Sequence, residues 1–198
     1  MANEPLRQAK AELWSASRAI DAMTAATKMD EFEAEWREFL SCLEKVWTKT
    51  ERTCAPHQAQ FQPWQGKFHA LRRKDMLLRY LKHARDADNH TIQDLAKLEP
   101  GYTVYDFVGS RGGYIEHLHL DAKEGLVAYK GDPITATVIP PRPVAIAVET
   151  CGQRYNPPTM HLGKAVDDLS PINLAKLGFS FYSDFVHQVE EKFFPRER

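Results

Sequence analysis

The sequence has no long apolar run, no cysteines at metal-ligand spacing and almost no net charge. Each lack removes a class of function. No stretch approaches the roughly 18 apolar residues a membrane span needs, so a membrane is not an expected partner. The start, Met1-Ala2-Asn3-Glu4-Pro5, lacks the basic and apolar segments of a secretory leader. Cys42, Cys54 and Cys151 are scattered, with no C-x-x-C and no Cys/His cluster. That pattern fits reduced thiols in a cytoplasmic protein rather than a disulfide framework or a zinc site. A net charge of -1 gives no global pull on polyanions, so such a partner has to meet a local patch.

What is present is an ordinary globular composition: 43% apolar and 27% charged over 198 residues, enough for one good core. Residues 4–27 read as a first helix, with Leu6, Leu13, Ile20 and Thr27 on a seven-residue repeat and Ala9, Ala16 and Met23 between them. Small residues in such a seam suit close helix–helix approach. A second helix starts at Met29 or Asp30 with an acidic first turn, and carries Phe32, Trp36, Phe39, Leu43, Val46, Trp47 and Thr50 as a core stripe. Residues 53–66, broken by Pro56, Pro63 and Gly66, read as a long loop.

A third helix follows from Leu71 toward Leu98, with Leu77, Leu78, Leu81, Ala84, Ile92, Leu95 and Leu98 on one side and Arg72, Arg79, His83 and Asp86 on the other. Asn89 and the Thr91/Asp94 capping-box spacing allow a kink near 88–91. Two residues break the pattern: Arg85 and Asp88 fall inside the apolar stripe. Three positions apart on a helix, they can pair as a structural ion pair, or the face can carry a polar site.

After Pro100-Gly101 the period changes to two. Strands are expected at 102–108 and 114–120 as a hairpin about Gly109–Gly113, and again at 126–130, 134–139 and 144–150. His117, His119 and Asp121 share one face of a strand. They make a metal alternative that lacks a further ligand, and no metal or other cofactor is assigned. Ser170-Pro171 then gives an N-cap and a first-turn proline for a last helix, 172–194. Its apolar face covers more than half its circumference, which suggests contact with the bundle and with something else, such as a second subunit or another protein. The expected fold is α+β: a single domain, 1–198, of about four antiparallel helices (4–98 and 170–194) with a small antiparallel β-meander (101–150) inserted before the last.

The run Arg85-Asp86-Ala87-Asp88-Asn89-His90 reads R-D-x-x-x-H. It resembles the motif of the HEPN superfamily, helical bundles that include many metal-independent ribonucleases, in which an Arg and a polar residue precede a His by four to six positions. The resemblance covers the helices and leaves the β segment unexplained. It implies a homodimer with a composite site: His90 for proton transfer, Arg85 for phosphate charge, and Asp86 to orient one of them. Arg72, Arg73, Lys74, Arg79 and Lys82 would then offer RNA a local basic approach, or else form a solvated helix face. The other reading of the same residues is a non-catalytic bundle, an interaction or regulatory protein with Arg85–Asp88 as a structural pair.

Overall fold

A computed structural model describes residues 5–109, 112–123 and 125–195. Among the described residues the chain is α+β, with five α-helices and short antiparallel strand pairs, all of them before the last helix. The helices are α1 (Arg7–Ala25), α2 (Met29–Thr53), α3 (Gln58–Lys74), α4 (Met76–His90) and α5 (Pro171–Phe193), and a 3₁₀ turn, Ala55–His57, links α2 to α3. Glu4, where the first helix was expected to begin, lies outside the described residues.

Most of the expected seam of α1 is buried, Ala9, Ala16, Ile20 and Met23 among it, but the helix ends at Ala25 and leaves Thr27 exposed beyond it. Small side chains there let α1 run close along α2, whose buried stripe is Phe32, Trp36, Phe39, Leu43, Val46, Trp47 and Thr50. Ser170 caps α5 by accepting from Asn173 N at 3.2 Å, ahead of Pro171. Gly178 makes room for Leu81 of α4 against α5, since a Cβ there would lie 2.5 Å from Leu81 Cδ1.

Residues 58–66 are helical, which corrects the expected loop. Pro63 sits inside α3 and removes one backbone hydrogen bond, at a cost of about 3 kcal/mol in a helix interior. Packing outweighs it. Phe61, Trp64 and Phe68 form a helical stripe whose rings meet Phe181, Phe185 and Phe193 of α5, with centroids 4.9–6.2 Å apart. This contact accounts for part of the breadth of the apolar face on α5. Phe181, Tyr182, Phe185, Val186, Val189 and Phe193 are all buried within the chain, so the whole face is covered by the other helices, α3 among them.

The expected third helix is likewise divided. Asp75, extended at φ -66 and ψ 133, ends α3 and caps α4 by accepting from Leu78 N at 3.0 Å. Helix α4 stops at His90, where Thr91 turns extended and its hydroxyl donates to Ala87 O at 2.7 Å. Beyond it the helical pattern fails: Ile92 is fully exposed, and Leu95 is buried outside any helix. Two side chains of α2 enforce the stop. Glu33 accepts from Leu95 N at 2.8 Å, and Arg37 donates to Gln93 O at 3.1 Å.

Arg72 is a core residue. Its Nε donates to the Tyr182 hydroxyl at 3.0 Å, its Nη2 donates to Glu44 Oε2 at 2.5 Å, and its guanidinium lies 4.1 Å over the Trp47 ring. It joins α3 to α2 and α5, and removing it strands Glu44 and a fully buried phenol.

The strands are β1 (Ala96–Glu99), β2 (Tyr102–Phe107), β3 (Ile115–Asp121), β4 (Gly125–Gly131), β5 (Ile134–Ile139), β6 (Arg142–Ala145), β7 (Val148–Thr150), β8 (Gln153–Tyr155), β9 (Met160–His161) and β10 (Lys164–Ala165). Pairing of the first six is nested: β1 with β6, β2 with β5, β3 with β4. Residues 102–108 and 114–120 therefore do not form the hairpin expected about Gly109–Gly113, of which Ser110 and Arg111 lie outside the described residues. Instead the ladder continues past this excursion on one strand, through Val108 N to Pro133 O at 2.8 Å and Asp132 N to Tyr114 O at 2.9 Å. The β7–β8 hairpin turns on Cys151 and Gly152, both at positive φ, the backbone of a two-residue hairpin turn.

Leu98–Arg142 forms one compact unit and the rest of the chain another. The end of the expected insertion, 144–150, thus belongs with the helices: Val144, Ala145, Val148 and Thr150 are buried, and the Tyr80 hydroxyl donates to Ile146 O at 2.7 Å. Within 98–142 no described residue is buried.

Replacing Arg72 by Ala is expected to lower stability by about 3–5 kcal/mol, the cost of leaving a buried charge without its partner. Urea unfolding followed by circular dichroism measures it. A loss under about 1 kcal/mol would show that Arg72 does not tie the helices together.

Candidate functional site

The three residues of the R-D-x-x-x-H run lie on the last two turns of α4. This helix is unbroken between them, and five positions turn through about 140°. Arg85 and His90 therefore leave one chain in different directions. Arg85 sits on the shoulder that faces α2, half-buried, and donates from Nη1 to Asp86 Oδ1 at 3.1 Å. Its Nε is buried without a hydrogen-bond partner among the described residues. His90 is exposed at the helix end.

Asp88 does not pair with Arg85. It bonds the guanidinium of Arg37, which also holds Glu33 at 2.9 Å. The reason lies in the wheel. Asp88 points inward at α2, where Arg37 reaches it, while Arg85 is turned about 60° aside. Burial would lower the pKa of Arg37, but the Asp88 and Glu33 carboxylates more than offset this and raise it. The expected Arg85–Asp88 pair is therefore not formed: Asp88 meets Arg37, and Arg85 meets Asp86.

Asp86 stands between two histidines on a stripe that also carries Arg79. His83, one turn earlier, has Nδ1 4.0 Å from Asp86 Oδ2, a charge contact too long for a hydrogen bond. The ring of His83 stacks on Tyr155 of β8, with centroids 3.6 Å apart and 12° between planes. Burial lowers its pKa from the ordinary imidazole value; Asp86 opposes this, and Lys82 and Arg79 reinforce it. His90 follows Asp86 by one turn. The stripe can thus present a neutral imidazole, a carboxylate and a second imidazole in line, with Arg85 beside the carboxylate. His83 was legible only as part of a polar face; its partner Tyr155 comes from 72 positions later in the chain.

The expected basic track is not continuous. Arg72 is in the core, as described, and so leaves the track. Arg73 and Lys74 are exposed at the end of α3, and Arg79 and Lys82 are exposed on α4, beyond the break at Asp75. On β3, His117 and His119 are exposed and oppose Lys130 and Ala128. A lysine beside His117 disfavours a cation, and Asp121 accepts from Lys123 N at 2.7 Å. Among the described residues no three His, Cys, Asp or Glu side chains come together as a metal site, so the metal alternative on His117, His119 and Asp121 finds no support.

One pair escaped the sequence reading. The Asp75 carboxylate, beyond capping α4, sits 2.9 Å from His161 Nδ1 and accepts from Leu162 N at 2.7 Å. Both side chains are about nine-tenths buried. The pair pins β9 and its turn onto the α3–α4 break, 86 residues away in sequence. Burial pushes the Asp75 pKa up, but the bonds from His161, Leu162 and Leu78 outweigh it and hold it below the usual carboxylate range.

Comparison with family models, with curated proteins and with solved structures finds no match in any of the three.

The depressed Asp75 pKa gives a signed expectation. Its stabilisation is present above the unfolded value of about 4 and is lost as pH falls through the lower folded value. Asp75→Asn should therefore cost about 1–3 kcal/mol near neutrality, from mispaired buried donors, and should flatten the acid limb of stability against pH. Urea titrations from neutral pH downward check both. An unchanged acid limb would mean that Asp75 carries no share of it.

Proposed function

We propose that the protein is a HEPN-like, metal-independent endoribonuclease that acts as a cytoplasmic homodimer. The observation that carries this reading is that Arg37 engages Asp88, so that Arg85 is left on the α4 shoulder beside Asp86, next to a stripe bearing His83 and His90. In a pairing of two copies through α4, the His90 of one chain can face the Arg85 of the other, which a single unbroken helix does not allow. Cytoplasmic placement is supported by three free cysteines; burial pushes the thiols of Cys42 and Cys54 up to about 12, where they stay protonated. Among the described residues, no helix is long and apolar enough to cross a membrane.

In the proposed reaction an imidazole takes the proton of an RNA 2′-hydroxyl, and that oxygen attacks the adjacent phosphorus. The 5′-oxygen leaves with a proton from a second imidazole, giving a cyclic phosphate and a 5′-hydroxyl. His83, whose lowered pKa favours the neutral ring, is the nearest candidate for the imidazole that takes the 2′-hydroxyl proton, and His90 is assigned to give one to the leaving oxygen. Arg85 balances charge on the phosphoryl oxygens through its fork of donors, and Asp86 orients that fork. The exposed Arg73, Lys74, Arg79 and Lys82 add positive surface nearby.

A second reading, a non-catalytic interaction protein, is favoured by one observation. The unit 98–142 has no buried residue among those described, and exposes Leu98, Tyr102, Tyr114, Leu118, Leu120 and Val138. A β unit without its own core gains from a partner that covers it.

Cleavage of a mixed-sequence RNA in EDTA separates the two. Wild type is expected to cut, and Arg85→Ala and His90→Ala are each expected to lose about 100-fold or more with folding and oligomeric state unchanged. Absence of cleavage by clean wild-type protein, or full activity in both variants, would discard the ribonuclease reading.

A further inference from the structure

We infer that the polar shelf of α2 beside Arg85 is a track for the phosphodiester backbone of a single RNA strand. The inference rests on the ribonuclease reading for the identity of the strand, and on the shelf itself for its place. Ser41, Glu44, Lys45, Thr48, Lys49 and Arg52 recur at helical spacing on the side of α2 away from its core stripe. Together with Arg85 they line a cavity of about 190 Å³. Lys49 and Arg52 also line a second, larger cavity of about 600 Å³, which Arg7 and Thr53 share. The two spaces thus share a pair of cations.

Charge along this shelf is unbalanced. Glu44 lines it, but its carboxylate is held by Arg72 at 2.5 Å. Lys49 is met by Glu12, Lys45 lies 3.8 Å from Glu38, and Arg85 shares Asp86. Arg7 and Arg52 have no carboxylate partner among the described residues. In a chain of net charge -1 such a concentration is local, which is what a polyanion needs.

The lining chemistry selects phosphate rather than base. Guanidinium forks, ammonium groups and the hydroxyls of Ser41 and Thr48 can donate to phosphate oxygens, and no aromatic ring in the smaller cavity offers a stacking surface. The cations repeat over two helical turns, about 10.5 Å from Lys45 to Arg52, which suits successive phosphates of a strand better than one compact anion. Position supports the same ligand. Asp88 meets Arg37, so Arg85, one turn earlier on α4, lies beside the α2 turn that begins the shelf. A strand laid on the shelf would end at the guanidinium assigned to the phosphate in flight.

The test uses fluorescence anisotropy of a labelled 2′-O-methyl RNA, which cannot be cut, over a series of NaCl concentrations. Lys45 and Arg52 are exposed, so Lys45→Glu/Arg52→Glu should fold, which circular dichroism checks. The double variant is expected to bind at least about 10-fold more weakly at low salt, and its log K against log salt slope should fall by about 1.4, two phosphate contacts for a single strand. Equal affinity and slope in wild type and variant would overturn the track, as would wild type that shows no salt-dependent binding. Displacement of the RNA by ATP at matching phosphate concentration would assign the shelf to a free nucleotide and overturn the strand. If binding behaves as expected but natural RNA stays intact, the track stands and the ribonuclease reading fails. If the variant binds as wild type does and still cuts natural RNA, the track fails and the ribonuclease reading stands.

Discussion

The ion pair between Arg37 and Asp88 is the contact on which the arrangement of α4 depends. It brings a partly buried carboxylate of the α4 inner face against α2, where a guanidinium meets it. The same guanidinium holds Glu33 and the Gln93 carbonyl, and Glu33 in turn receives Leu95 N. One arginine of α2 thus fixes the register of α4, ends it at His90 and turns the chain toward β1. It also leaves Arg85 without the partner that sequence spacing offered it.

A second buried cation works in a different direction. Arg72 ties α3 to Glu44 of α2 and Tyr182 of α5, and the Phe61, Trp64 and Phe68 rings complete the same junction against Phe185 and Phe193. The break at Asp75 lets α3 and α4 take separate directions from one apparent helical run. Asp75 is capped on both sides, by Leu78 N and by the His161 turn. Fold and candidate site therefore share their supports: the helix that carries Arg85, Asp86 and His90 is fixed at one end by Asp75 and at the other by Arg37.

Much of this was legible in the sequence where a single element decides its own state. The stripe of α2, the small-residue seam of α1, the Ser170-Pro171 start of α5 and the switch to period two after Gly101 depend on local pattern and propensity. What escaped depends on distant partners. Pro63 argues against a helix until Phe185 and Phe193 are available to bury its neighbours. Leu95 continues a helical stripe on paper, but Glu33 captures its amide. Gly109–Gly113 has the composition of a hairpin turn, yet strand pairing is set across the whole segment, β2 with β5. In the site, Arg85, Asp86 and His90 could be named from spacing, whereas the partner of Asp88 is 51 residues away and that of His83 is 72. Spacing reveals which residues share a face, not which distant residue they meet.

The most direct measurement is a pair of double-mutant cycles on folding stability, Arg37→Ala with Asp88→Ala and Arg85→Ala with Asp88→Ala. Both side chains of the first pair are partly exposed, so its coupling is discounted for solvent to about 1 kcal/mol, against about zero for Arg85 with Asp88. The reverse result, coupling between Arg85 and Asp88 and none with Arg37, would return Arg85 to a structural pair and remove it from the site.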